Sequence, residues 1–256
     1  MEDGATHQEI FKLGRVGDWG RRPGNCHRDL LTSFCPQILL PEPFEVQVPC
    51  LHPKTSLEKG DGAGLFLPHL LFSHLGENYF EFFEQVFCLT DSSLEKFWSA
   101  VEAVEDDRIV GHPMCLEKHW KKKNIPLFVY GDGVEYHSRD SLLVFTWGCM
   151  LGNLPSLKQH FLLAAFPKTC TVKGTWPTIW SWLRWSLEAL GKGYRPKEGP
   201  DGAPLEKGSP FLEKQGQPLH HKGLRAQVFS IQGDHEFFCQ HPPPPPLASP
   251  HALLGM

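Results

Sequence analysis

The sequence predicts an α/β fold, and three observations carry that reading. Three apolar runs follow one another closely: Ile125–Tyr130, Ser141–Trp147 and His160–Phe166. An amphipathic stretch comes next, with Trp176, Ile179, Trp180, Leu183, Leu187 and Leu190 on one helical face. A fourth apolar run, Leu224–Gln232, closes the set. Short apolar runs bounded by Gly, Pro and Asn read as strands, whereas sustained 3.6-residue periodicity reads as a helix.

Composition bounds the rest. The chain has 256 residues, 41% hydrophobic and 21% charged, enough for a sizeable core; 24 Gly and 23 Pro imply much irregular chain. A net charge of −4 is not that of a strongly basic duplex binder. The one basic run, Lys118–Lys123, reads as a solvated helix end. Eight cysteines are scattered with no Cys-x-x-Cys pair, residues 1–24 lack the apolar centre of a signal peptide, and no run spans a bilayer. An intracellular protein with free thiols is expected, and no membrane partner.

Residues 1–64 read as poorly ordered, with short apolar runs among Gly, Pro and charge. Cys26, His27, Cys35, Cys50 and His52 match no established zinc spacing. Residues 65–124 read as helical. Phe80, Phe83, Val86 and Phe87 recur at helical spacing, and Leu94, Phe97, Trp98, Val101 and Val104 form a second apolar face. Asp91 or Ser92 is placed to cap that second helix, with Glu95 completing a capping box.

The first strand, Ile125–Tyr130, is apolar on both parities, as a strand covered on both faces would be. Residues 131–140 and 148–156 are expected to be connections. Short connections favour antiparallel neighbours, so the first three strands form a meander. Thr175 is placed to cap the following helix, Pro177 fits its first turn, and Gly191 and Gly193 stop it. Residues 192–222 read as a long loop. Residues 239–256 form a tail whose five prolines, Pro242–Pro246, favour polyproline II and could meet a proline-recognising domain.

Two acids stand at the ends of two of these strands, each after a glycine: Gly131-Asp132-Gly133 and Gly233-Asp234-His235-Glu236. The order strand, strand, strand, helix, strand is the front half of a ribonuclease H-like fold. In that architecture the fourth strand lies parallel beside the first, linked by a right-handed crossover through the helix, so that Asp132 and Asp234 would meet at one sheet edge. Paired carboxylates there suit Mg²⁺ or Mn²⁺ and phosphodiester chemistry, with His235 and Glu236 as assisting groups. Asp-Gly is equally a common hairpin turn, and both readings stand.

Several stretches carry a resemblance. Asp91–Trp98, Ile125–Leu127, Gly131–Val134, Ser141-Leu142 with Trp147, Phe166–Lys168, Gly199–Gly202, Leu205–Phe211 and Ser230–Phe238 resemble a multi-copy family of uncharacterised, transposon-like proteins of algal protists. The likeness covers roughly residues 65–238. More distantly the arrangement is similar to DDE transposases of the CACTA class. The resemblance implies an incomplete ribonuclease H-like domain over 125–238. Asp132 and Asp234 would be vestigial metal ligands, DNA a partner, and the nucleus the place of any activity. Where the family continues past Phe238 with a paired-cysteine motif and a third acid, this chain has its proline tract, so a truncated, inactive transposase-like protein is expected. The alternatives are a non-enzymatic interaction module, using its aromatic helices or proline tail, and another metal-dependent hydrolase built on Asp132, Asp234 and His235.

Overall fold

Strand pairing shows what the apolar runs become. The computed structural model describes residues 40–51, 58–89, 92–137, 140–152, 154, 159–209 and 211–233. In it β1 (Phe44–Leu51) and β2 (Glu58–Leu65) form an antiparallel pair. Helices α1 (Pro68–Asn78), α2 (Phe80–Val86), α3 (Ser93–Ala103) and the short α4 (Trp120–Lys123) follow. Then come β3 (Asn124–His137), β4 (Asp140–Cys149), β5 (Phe161–Pro167), α5 (Thr175–Lys192) and β6 (Arg225–Gly233). The larger sheet is mixed and four-stranded, in the order β5-β4-β3-β6. The meander β3-β4-β5 is antiparallel, and β6 returns parallel beside β3.

Three expectations are corrected. Residues 44–51 and 58–65, placed in the irregular segment 1–64, pair as a hairpin. Val46, Val48 and Cys50 alternate inward along β1, while the glycine-rich β2 gains its order from that partner. The expected connection 131–140 is mostly strand, since β3 and β4 pair from Leu127↔Cys149 to His137↔Asp140. Asp132 and Gly133 therefore lie within a strand, opposite Val144 and Leu143, and not in a turn. Thr175 is the first residue of α5 and not its cap. Its Oγ1 donates to the Pro49 carbonyl at 2.5 Å and accepts from the Val172 N–H, tying β1 to the start of the helix. Ser92 is the capping residue of α3 by position, but its side chain makes no capping bond.

One face of the large sheet is a continuous core. Leu143, Phe145, Trp147 and Cys149 alternate along β4 and are buried. Phe145 meets Trp176 and Trp180 of α5 at ring distances of 5.1 and 5.3 Å, and Trp147 stacks on Phe87 just after α2. The remaining tryptophans of α5 turn to the hairpin and the long loop: Trp182 packs on Phe44, and Trp185 on Phe211. The aromatic face of α5 is thus used for packing, as its helical spacing implied. Gly193, at φ +75°, ends α5 in the left-handed conformation that glycine adopts without strain. The following segment is fastened down by Tyr194↔Pro218 and Glu198↔Pro204 bridges, by Arg195 on Ser73 and Glu77, and by Trp185 Nε1 donating to the Glu198 carbonyl.

A second cluster, Trp98, Val101, Ile109, Met114 and Trp120, lies under the α3–α4 connection with Phe229 of β6 against it. Trp98 Nε1 donates to the Asn124 carbonyl at 2.7 Å, which fixes α3 to the start of β3. Arg108 lies 3.8 Å over the Phe229 ring and donates to the Phe229 carbonyl, covering part of the outer edge of β6. Among the described residues no helix is long and apolar enough to cross a membrane.

Candidate functional site

Parallel pairing of β3 and β6 runs from Asn124↔Arg225 to Gly131↔Gly233. Asp132 is the next residue of β3 and is half-buried. Its carboxylate is held from two sides: Tyr130 donates its hydroxyl proton to Oδ2 at 3.0 Å, and the Gly133 N–H donates to Oδ1 at 2.8 Å. Each oxygen accepts one of these bonds, so each keeps a lone pair for a cation. Asp132 therefore fits the part of one ligand to Mg²⁺ or Mn²⁺. Asp234, His235 and Glu236 lie outside the described residues, as do Cys26, His27, Cys35, His52 and Pro242–Pro246. Among the described residues no group of three or more His, Cys, Asp or Glu is placed to hold a metal ion.

The face that bears Asp132 carries other polar groups. Residues two apart on a strand share a face, and residues directly paired across strands share it too. Phe128, Tyr130 and Asp132 therefore stand together, with Val144 and Thr146 beside them on β4. His160 completes the group. Its Nδ1 lies 3.0 Å from Thr146 Oγ1, and its ring packs on Phe128 at 4.9 Å and edge-on to Tyr130 at 5.9 Å. Partial burial lowers the His160 pKa below the ordinary imidazole value, which favours the neutral ring. Sequence reasoning passed over Tyr130, Thr146 and His160. The spacing Tyr130-x-Asp132 in a strand was the available signal for the first; only the strand register brings in the other two.

Two other histidines are placed by packing. His69 and Ser186 have no solvent exposure. Ser186 Oγ lies 2.7 Å from His69 Nδ1 and accepts the His69 backbone N–H at 3.2 Å. Burial, with the nearby Arg195, pushes the His69 pKa down to about 3. A serine beside a neutral histidine has the composition of a nucleophile and its base, but a substrate cannot reach a pair with no exposed surface. The pair joins α1 to α5. His220, 2% exposed, is stacked between Phe83 and His221, and burial is the first cause that lowers its pKa to about 4.

Two of the four lysines in the basic run 118–123 are paired with acids. Lys121 pairs with Glu102 at 2.5 Å and Lys122 with Glu95 at 3.5 Å. Glu117 just upstream takes both terminal nitrogens of Arg225. These pairings neutralise charge that a phosphate-binding stripe would need free. No family model, characterised protein or solved structure matches the chain.

Proposed function

We propose that the four-stranded sheet is the opening half of a ribonuclease H-like domain of the DDE-transposase kind. In this reading Asp132 and Asp234 flank one divalent cation, and the parent chemistry is cleavage and transfer of DNA strands in the nucleus. One observation carries it: β6 lies parallel beside β3, with Gly131 paired to Gly233, and each acid is the residue that follows its glycine. The strand order also has the meander, crossover helix and returning strand that this architecture requires.

A bound Mg²⁺ or Mn²⁺ would activate water and stabilise the leaving oxygen of a phosphodiester. The chain's own part begins at Tyr130, whose hydroxyl orients Oδ2 of Asp132. The Gly133 N–H fixes Oδ1. Two assigned acids instead of three make Mg²⁺ binding weak and strand cleavage absent.

The test is Mn²⁺ titration followed by electron paramagnetic resonance, beside a plasmid-nicking assay. Wild type is expected to bind Mn²⁺ weakly. D132N and D234N should each lose that binding, and none of the three should nick DNA. Equal Mn²⁺ binding by wild type and both variants removes the site. Nicking by wild type that disappears in D132N removes the claim of inactivity and leaves the site standing.

A further inference from the structure

Two cysteines that play no part in the Asp132 site converge where α2 meets the end of β4. Cys149 is the last residue of β4 and is buried; Cys88 lies two residues after α2 and is half-buried. Neither is in a disulfide bond. Cys88 Sγ donates to the Leu151 carbonyl at 2.8 Å, and the Leu151 N–H donates to Cys149 Sγ at 3.4 Å. One residue thus touches both sulfurs. Cys149 Sγ also lies 3.8 Å from the carbonyl oxygen of Phe87, the residue next to Cys88. Cys88 itself has φ +51°, a left-handed conformation that non-glycine residues seldom hold. Such strain is kept where the surroundings fix it, and it marks positions with a further role.

We propose that Cys88 and Cys149 are a peroxide-driven disulfide site that fastens the end of α2 to the end of β4. The half-buried Cys88 meets the oxidant first. Its sulfur takes one oxygen from hydrogen peroxide, the O–O bond breaks, and the thiol proton leaves with the departing hydroxide as water. This gives a sulfenic acid at Cys88. The Cys149 sulfur then attacks that sulfur. The S–S bond forms, the S–O bond breaks, and the Cys149 proton leaves with the hydroxide as a second water. Two electrons pass from the thiols to the peroxide. Burial raises the Cys149 pKa to about 12, so the second step is the slower one. The bond closes a long loop and holds Phe87 on Trp147 and Phe161.

The full chain is incubated with hydrogen peroxide, alkylated and mapped by non-reducing peptide mass spectrometry. The expected product is a Cys88–Cys149 cross-linked peptide, two hydrogens lighter than its parts and reversed by dithiothreitol. It should be accompanied by a rise in Tm of roughly 5–10 °C that C88S lacks. C149S, or C149A if the serine variant does not fold, should retain the sulfenic acid at Cys88 and give a dimedone adduct there. Alkylation of both cysteines after peroxide, a bond from Cys88 to any other cysteine, an unchanged Tm on cross-linking, or equal dimedone labelling of wild type and the Cys149 variant would overturn the proposal. The wild-type peptide map decides even if neither Cys149 variant folds.

Discussion

His69 makes stability depend on pH in a calculable way. Its pKa in the folded chain is about 3, against 6.5 for an unhindered imidazole. The unfolded chain therefore binds a proton below pH 6.5 that the folded chain refuses. The stability tied to neutral His69 is fully present above pH 6.5 and is lost as pH falls from about 6.5 to about 3. At pH 5 the loss from this one group is about 2 kcal/mol, and at pH 4 about 3 kcal/mol. The cause is local: His69 has no exposed surface, Ser186 occupies Nδ1, and Arg195 adds a repelling charge. His220 also titrates, so the informative quantity is the difference between wild type and H69N. Urea unfolding at pH 7.5, 6, 5 and 4 would measure it. H69N is expected to be less stable than wild type at pH 7.5 but to lose about 2 kcal/mol less on going to pH 5. Parallel pH profiles for the two proteins would refute the reasoning, because they would show that His69 is not held neutral by the fold.

Other outcomes follow from particular contacts. Trp98→Phe keeps the ring in its cluster but removes the donor to the buried Asn124 carbonyl, and should cost about 1–3 kcal/mol in chemical unfolding. Gly148→Ala would set a methyl group against the Gln159 carbonyl and within 2.7 Å of the Phe128 ring, so it should cost about 1–3 kcal/mol or prevent folding. A wild-type Tm for this variant would show that β4 and the start of β5 are not packed this closely.

Much of the sheet was legible because its signals are local. Ile125–Tyr130, Ser141–Trp147, His160–Phe166 and Leu224–Gln232 are each short apolar runs, and each lies within a strand or begins one residue before it. The tryptophan-rich helix was legible because its apolar face repeats at 3.6 residues and Gly193 ends it. The antiparallel meander followed from short connections, and the parallel return of β6 from the strand order expected of a ribonuclease H-like pattern. None of this required knowing which residues touch.

Pairing decided what remained. Gly131-Asp132-Gly133 has the composition of a turn, yet β4 supplies partners for its backbone and keeps it extended. Glu58–Leu65 has no strand pattern of its own and is a strand only because Phe44–Leu51 lies opposite. The same holds at the site. The sequence named Asp132, and strand spacing sets Tyr130 beside it, but the nearby His160–Thr146 pair depends on how β4 meets the segment leading into β5. A chain fixes its own periodicity residue by residue, whereas a contact between distant segments exists only once their hydrogen bonds and side chains have met.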